Sequence, residues 1–318
     1  MLLAEIEGRP TDAAAARRFE RARRDVVFDE IAASCALAGA DLSPAAIRRL
    51  LERGITVAGS LEAQLLALGY ARAALEIARD RRPAVAPRRL IAVQEIQRLH
   101  VTITTPLAAV RPQSTQAPAG AWRRLNLPPM RDGMVTTPHW LIEFEMAALV
   151  DRIGGAPPAA GLFLWLADAY ERLQRIRPFV EGNGRVARLV ANLLLARCGY
   201  PPATIVASLQ SAHRRALEAA DAGDRRPLAD VLERALRLNL ERLASAWIDP
   251  AALRPLADLA HSRASLVALR KAAQRGRLRT VTRGRDVLST PAWVEDYLAT
   301  RGRSLGRRSP ASASRSTR

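Results

Sequence analysis

Residues 181–188, Glu181, Gly182, Asn183, Gly184, Arg185, Val186, Ala187 and Arg188, bring together the side-chain types that hold phosphate. The two glycines stand directly before a helical pattern, "GRVARLVANLLLARCG". Amides at a helix N-terminus point outward without partners and carry partial positive charge, and glycine lets the backbone approach an anion closely. Arg185 and Arg188, three apart, share one face near that end, and each guanidinium can grip phosphate oxygens in bidentate fashion. Glu181, just ahead of the glycines, suits a magnesium ion bridging those oxygens. The same letters could also make a plain turn between helices, with both arginines solvated. Gly-x-Gly alone is a weak signal; joined to Pro178-Phe179, Glu181 and two arginines it is a much stronger one.

With its flanks, this stretch resembles the motif of the Fic (Fido) family, H-P-F-x-[DE]-G-N-G-R-x-x-R. It agrees at Pro178, Phe179, Glu181, Gly182, Asn183, Gly184, Arg185 and Arg188. "PAGAWR" at 118–123 is similar to the family's P-G-x-[YW]-R segment, and the resemblance covers residues 26–245. It implies a Fic-type helical bundle with a short β-hairpin flap, binding ATP and moving AMP onto a hydroxyl of a target protein. By the same resemblance Glu181 would hold Mg2+, Gly182, Asn183 and Gly184 the phosphates, Arg185 and Arg188 the outer phosphates, and Phe179 would anchor the loop. The hairpin at 125–136 would pair with an extended target segment, strand added to edge.

The departure is Arg177, at the position of the family's catalytic histidine. That histidine takes a proton from the attacking hydroxyl, a task for a group titrating near neutrality. A guanidinium stays protonated and has no lone pair to offer. Arg177 could add a phosphate contact or point to solvent. The resemblance also implies an inhibitory helix, [ST]-x-x-x-E-[GN], whose glutamate pairs with the second motif arginine. Residues 34–39, "SCALAG", are similar to it, with Ser34 and Gly39 in place and Ala38 at the glutamate position. On that alignment Arg188 lacks an acid to neutralise it; the alternative is that this stretch is only a core helix.

Helices must position these residues. Apolar positions at three- and four-residue spacing give helices over 12–80, in "DVVFDEIAASCAL" and "LEAQLLALGYARAALEIA". In "LSPAAIRRLLERG" Ser43 caps, Pro44 takes the first helical position and Gly54 stops the helix. "RRPAVAPRR" breaks the pattern, which "LIAVQEIQRLHVTI" resumes. Residues 105–120 read as a loop, and Asp132-Gly133 as a turn within a short hairpin. "HWLIEFEMAALVDRI", "PAAGLFLWLADAYERLQRI" and the motif helix follow, the last stopping at Gly199 before Pro201 and Pro202. Further helices cover 205–245.

From Pro255 the texture changes. "PLADLA" and "LVALRKAAQRG", the second capped by Ser265, read as two short helices; a hairpin surrounds Gly284 and a last helix starts at Pro291. Residues 255–300 resemble the small winged helix-turn-helix of excisionase-like DNA-binding proteins. Arg270, Lys271 and Arg275 would enter a major groove, and Arg277, Arg279, Arg283 and Arg285 would track phosphates. The plainer alternative is a basic surface on a helical appendage. Trp293 and Tyr297, four apart, read as core.

The formal charge is +18 over 318 residues, with 49 Lys plus Arg, and Lys271 the one lysine, so arginine-rich composition accounts for part of it. Residues 261–318 hold 14 basic and 3 acidic residues, a net +11, which leaves +7 for the first 260. Cys35 and Cys198 lie in apolar helical stretches, as small buried hydrophobes do. The start "MLLAEIEGRP" lacks the basic and apolar regions of a signal peptide, and the longest apolar run, 159–167, falls short of the ~20 residues a bilayer needs. Both point to a cytoplasmic protein with no membrane partner. The expected division is an N-terminal helical region at 1–95, a core at 96–248, the DNA-binding module at 250–300 and a disordered basic tail at 301–318. An all-α class follows, with partners ATP or a related nucleotide, a target protein at the flap, and DNA.

Overall fold

The computed structural model describes residues 13–54, 59–79, 90–110, 118–129, 134–155, 161–248, 250–275, 277–283 and 286–306. They fall into two compact units, one gathering Glu20–Leu243, the other taking Phe19 and the turns before it with the residues from Ala244 onward.

The first unit is helical: α1 (Ala13–Ala36, its first turns belonging to the second unit), α2 (Pro44–Arg53), α3 (Leu61–Arg79), α4 (Val93–Thr104), α5 (Ile142–Ile153), α6 (Leu162–Ile176), α7 (Asn183–Arg197), α8 (Ala207–Asp221) and α9 (Arg226–Ala246). Local chemistry sets the ends. Ser43 Oγ accepts from Ala46 N at 3.2 Å, Pro44 fills the first position, and Gly54 ends α2 at φ 74°. The Glu95 carboxylate caps α4 by accepting from Ala92 N at 2.9 Å and pairs with Arg197 of α7 at 2.5 Å. Every residue of α7 from Arg185 to Leu195 is buried, which places this helix at the centre. A helix apolar nearly all round has no face for water. Where α3 meets α4, a Cβ at Gly69 would stand 2.6 Å from the Ile103 carbonyl oxygen, so only glycine permits the approach.

One continuous core runs from Val27 to Leu240. A boundary at 95/96 therefore cuts through packed side chains, since α3 lies against both α4 and α7. Of the flap, 118–129 form no strand, Met134 makes a single β-bridge, and the Asp132-Gly133 turn lies outside the described residues. No helix among the described residues is long and apolar enough to cross a membrane.

The second unit holds β1 (Arg254–Pro255), α10 (Leu266–Gln274), β2 (Val281–Arg283), β3 (Asp286–Ser289) and α11 (Pro291–Gly306). Its antiparallel sheet has the order β1-β3-β2, with Val281 opposite Leu288 and Arg254 opposite Ser289. Leu256, Leu259, Leu269, Leu278 and Val294 make its core, and Trp293 and Tyr297 pack on it. Two expectations change here. "PLADLA" is a turn, because Pro255 sits in β1 and Leu256 N continues the pairing to Val287 O at 3.3 Å; the helix-like spacing of Leu256 and Leu259 instead aims both into the small core. The tail does not become irregular at Arg301, since α11 runs on to Gly306; a helix already nucleated extends at little cost. Residues 307–318 lie outside the described residues.

Candidate nucleotide-phosphate site

Helix α6 ends at Ile176, and Arg177 takes a left-handed conformation at φ 44°, the one positive φ outside glycine among the described residues. That conformation strains a residue with a Cβ. Arg177 N donates to Leu173 O at 3.1 Å, and the chain then turns through Pro178 and the fully buried Phe179. Gly182, at φ 74°, is the N-cap of α7 and no side chain caps that end. A Cβ there would meet Ile103 Cδ1 at 3.3 Å and Arg185 Nη2 at 3.5 Å, so the turn requires glycine by conformation and by space. A helix N-terminus that no side chain caps is the kind of place that suits an anion.

The Asn183 side chain braces this turn. Its Oδ1 accepts from Phe179 N at 2.9 Å and its Nδ2 donates to Phe179 O at 2.8 Å. The side chain closes the loop that bears the glycines and is 1% exposed.

The two arginines are not solvated face residues: Arg185 is 6% and Arg188 8% exposed. Arg185 folds back over Gly182, and Arg188 Nη1 lies 3.6 Å from where a Cβ of Gly184 would be. Arg188 Nε donates to Ser34 Oγ at 2.7 Å and Nη2 to Ser34 O at 2.9 Å. Ser34 Oγ in turn donates to Glu30 Oε1 at 3.0 Å, and the Tyr70 hydroxyl lies 2.8 Å from both Glu30 Oε1 and Ser34 Oγ. Burial raises the Glu30 pKa, against opposing hydrogen bonds from Tyr70 and Ser34 and the Arg188 charge. Burial alone would lower that of Arg188, but Tyr170, Tyr70 and Glu30 hold it above its ordinary value.

Ala38 and Gly39 lie in the turn after α1, and Glu30, one helical turn before Ser34 on the same face, is linked to Arg188 through the Ser34 hydroxyl.

Two further residues complete the site. Arg123, 2% exposed, donates to four carbonyls: Leu125 O at 2.7 Å, Arg177 O at 2.8 Å, Ile176 O at 3.2 Å and Thr137 O. It staples both ends of the flap stretch to the last carbonyls of α6. Burial, and after it the like charge of Arg177, lower its pKa. His100 is stacked on Phe179, ring centroids 3.8 Å apart and planes 1° from parallel. Its Nδ1 accepts from Gly120 N at 2.9 Å and its Nε2 donates to Glu181 O at 3.2 Å. Burial lowers its pKa to about 4. Although the nearest histidine to the loop, it is no substitute base, since its lone pair is occupied by the Gly120 amide.

Arg177 is half-buried rather than pointing to solvent, and the Glu181 side chain is exposed at the mouth of the loop. No group of three or more His, Cys, Asp or Glu among the described residues could hold a metal by itself. A lone carboxylate beside a phosphate cradle fits magnesium, which is usually held by one or two carboxylates with substrate phosphates and water.

In the second unit, Arg270, Lys271, Arg275, Arg277 and Arg279 are all exposed. Ser265 caps α10 by accepting from Ala268 N at 3.3 Å. Arg283 stands in β2 and Arg285 lies outside the described residues.

Residues 90–195 match the Fic/DOC family. The "Protein adenylyltransferase Fic" of Drosophila virilis is 44% identical over 80 residues, 24% of this chain and 16% of that protein, so the chain matches only about a sixth of that relative's length. Among solved structures, Fic-1 (aa134–508) from C. elegans aligns with a TM-score of 0.62 at 22% identity, covering 77% of this chain and 69% of that one. A Fic domain containing signaling protein from Bacteroides thetaiotaomicron aligns with a TM-score of 0.59 at 21% identity, covering 77% and 96%. The helix that carries His100, the stapled flap stretch, the glycine turn and most of the central helix fall inside the span that matches the Fic/DOC family, and the fold is that of the Fic structures it aligns with.

Proposed function

We propose that this domain binds the phosphates of ATP, with Mg2+ at Glu181, and is built for AMP transfer to a hydroxyl of a target protein but works weakly or not at all because Arg177 replaces the base. One observation carries the reading: an uncapped helix N-terminus behind Gly182, with Arg185 and Arg188 folded against the same turn, beside a strained residue that cannot accept a proton.

In such a transfer the target oxygen bonds to the α-phosphorus, the bond to the bridging oxygen breaks and pyrophosphate leaves. The hydroxyl proton must go to a base. The α7 amides and Arg185 would hold and orient the triphosphate, and Arg123 keeps the flap stretch beside residue 177. Magnesium, when bound, supplies charge neutralisation at the phosphates. Arg177 gives no acceptor, which forfeits about 100- to 10,000-fold in rate. Incubation with labelled ATP and cell lysate tests this: label transferred chiefly by Arg177→His supports the reading, and equally strong labelling by the unmodified chain contradicts it.

A second reading rests on the second unit. Val267, Arg270, Lys271 and Gln274 are all exposed along one face of α10, with a basic hairpin following. That face suits a DNA groove, making the Fic domain a scaffold or nucleotide sensor for a DNA-binding regulator. A cytoplasmic location accords with either reading.

A further inference from the structure

We infer that His100 is a positioning residue that ties the flap entry to the phosphate loop, setting how Glu181 and the glycine turn face an incoming triphosphate. The inference rests on the nucleotide reading of the site.

The two hydrogen bonds of the ring reach partners 20 and 81 residues away, Gly120 N and Glu181 O. Because one nitrogen accepts and the other donates, a single neutral tautomer satisfies both. Each neighbour is shaped for the ring. Phe179 lies flat beneath it at 3.8 Å. A Cβ at Gly120 would strike Val101 Cγ2 at 2.6 Å, so only glycine brings that amide to the ring. A Cβ at Gly182 would stand 3.6 Å from His100 Cδ2, so a longer side chain there would press on the ring. The Glu181 carboxylate is exposed, and the backbone that aims it is what His100 holds.

Three substitutions separate the contacts. His100→Gln keeps a donor toward Glu181 O, His100→Asn keeps an acceptor for Gly120 N, and His100→Phe keeps a ring on Phe179 with neither. Calorimetric titration of the full chain with ATP, with Mg2+ and with chelator, is the measurement. The expected result is a loss of about 10-fold in Mg2+-dependent affinity for the Phe variant, the effect of leaving a buried polar group unsatisfied. Gln recovers most of that loss and Asn little of it. Affinity of the Phe variant equal to that of the unmodified chain overturns the role of His100. Should Phe fail to fold, Asn binding as tightly as Gln overturns it equally. Absence of binding by the unmodified chain overturns the nucleotide reading and this inference together.

Discussion

At the scale of single residues, burial decides what each side chain in the loop can do. From the sequence, Asn183, Arg185 and Arg188 look alike as phosphate ligands. The structure separates Asn183, which braces its own loop, from Arg188, which is held on α1 by Ser34. Only spatial neighbours tell them apart, and these come from 154 residues away in the case of Ser34. His100 gives a pH prediction. Its pKa falls from 6.5 to about 4 on folding, so between those values the unfolded chain binds the proton more tightly. The neutral ring therefore contributes its full share of stability above about pH 6.5, and this share is lost as pH drops toward 4, a loss on the order of 3 kcal/mol. Urea unfolding at pH 7 and pH 4.5 measures it. His100→Asn, which does not titrate, should show a smaller decline; an identical decline in both chains would refute the assignment.

At the scale of elements, α1 and α7 are joined through the Ser34–Arg188 contact, inside a core that the sequence divides at 95/96. Periodicity finds each helix; it cannot say which of them share a core, because that depends on contacts such as Gly69 against Ile103. The flap was legible as a turn signal and through "PAGAWR", whose last residue is Arg123, but the four carbonyls that Arg123 holds are seen only in the structure. Ser34→Ala removes the acceptor of Arg188 Nε and should lower stability by about 1–3 kcal/mol, the cost of a buried donor without a partner. ATP phosphates can replace that acceptor, so the variant should gain more melting temperature from ATP than the unmodified chain does. A smaller gain would mean that Ser34 instead aims Arg188 at the nucleotide.

At the scale of the whole molecule, the chain pairs a helical unit with a small sheet-containing one, and the excess positive charge gathers in the C-terminal sixth. The helix starts and short strands of this unit were legible through Ser265, Pro291 and the alternation on either side of residue 284. "PLADLA" misled because two leucines three apart serve a turn on a small core as well as they serve a helix. If α10 meets duplex DNA, Arg270→Ala with Lys271→Ala should reduce the slope of log affinity against log salt by about two, one for each lost phosphate contact. An unchanged slope in a gel-shift salt series would remove those residues from the interface.

The account depends most on one side chain. Single-turnover AMP transfer and ATP affinity, measured side by side for the unmodified chain and Arg177→His, address it directly. A rate gain of about 100- to 10,000-fold in the histidine variant, with a far smaller change in affinity, is the predicted result. Equal rates in the two chains, or a variant that gains only in affinity, would contradict it.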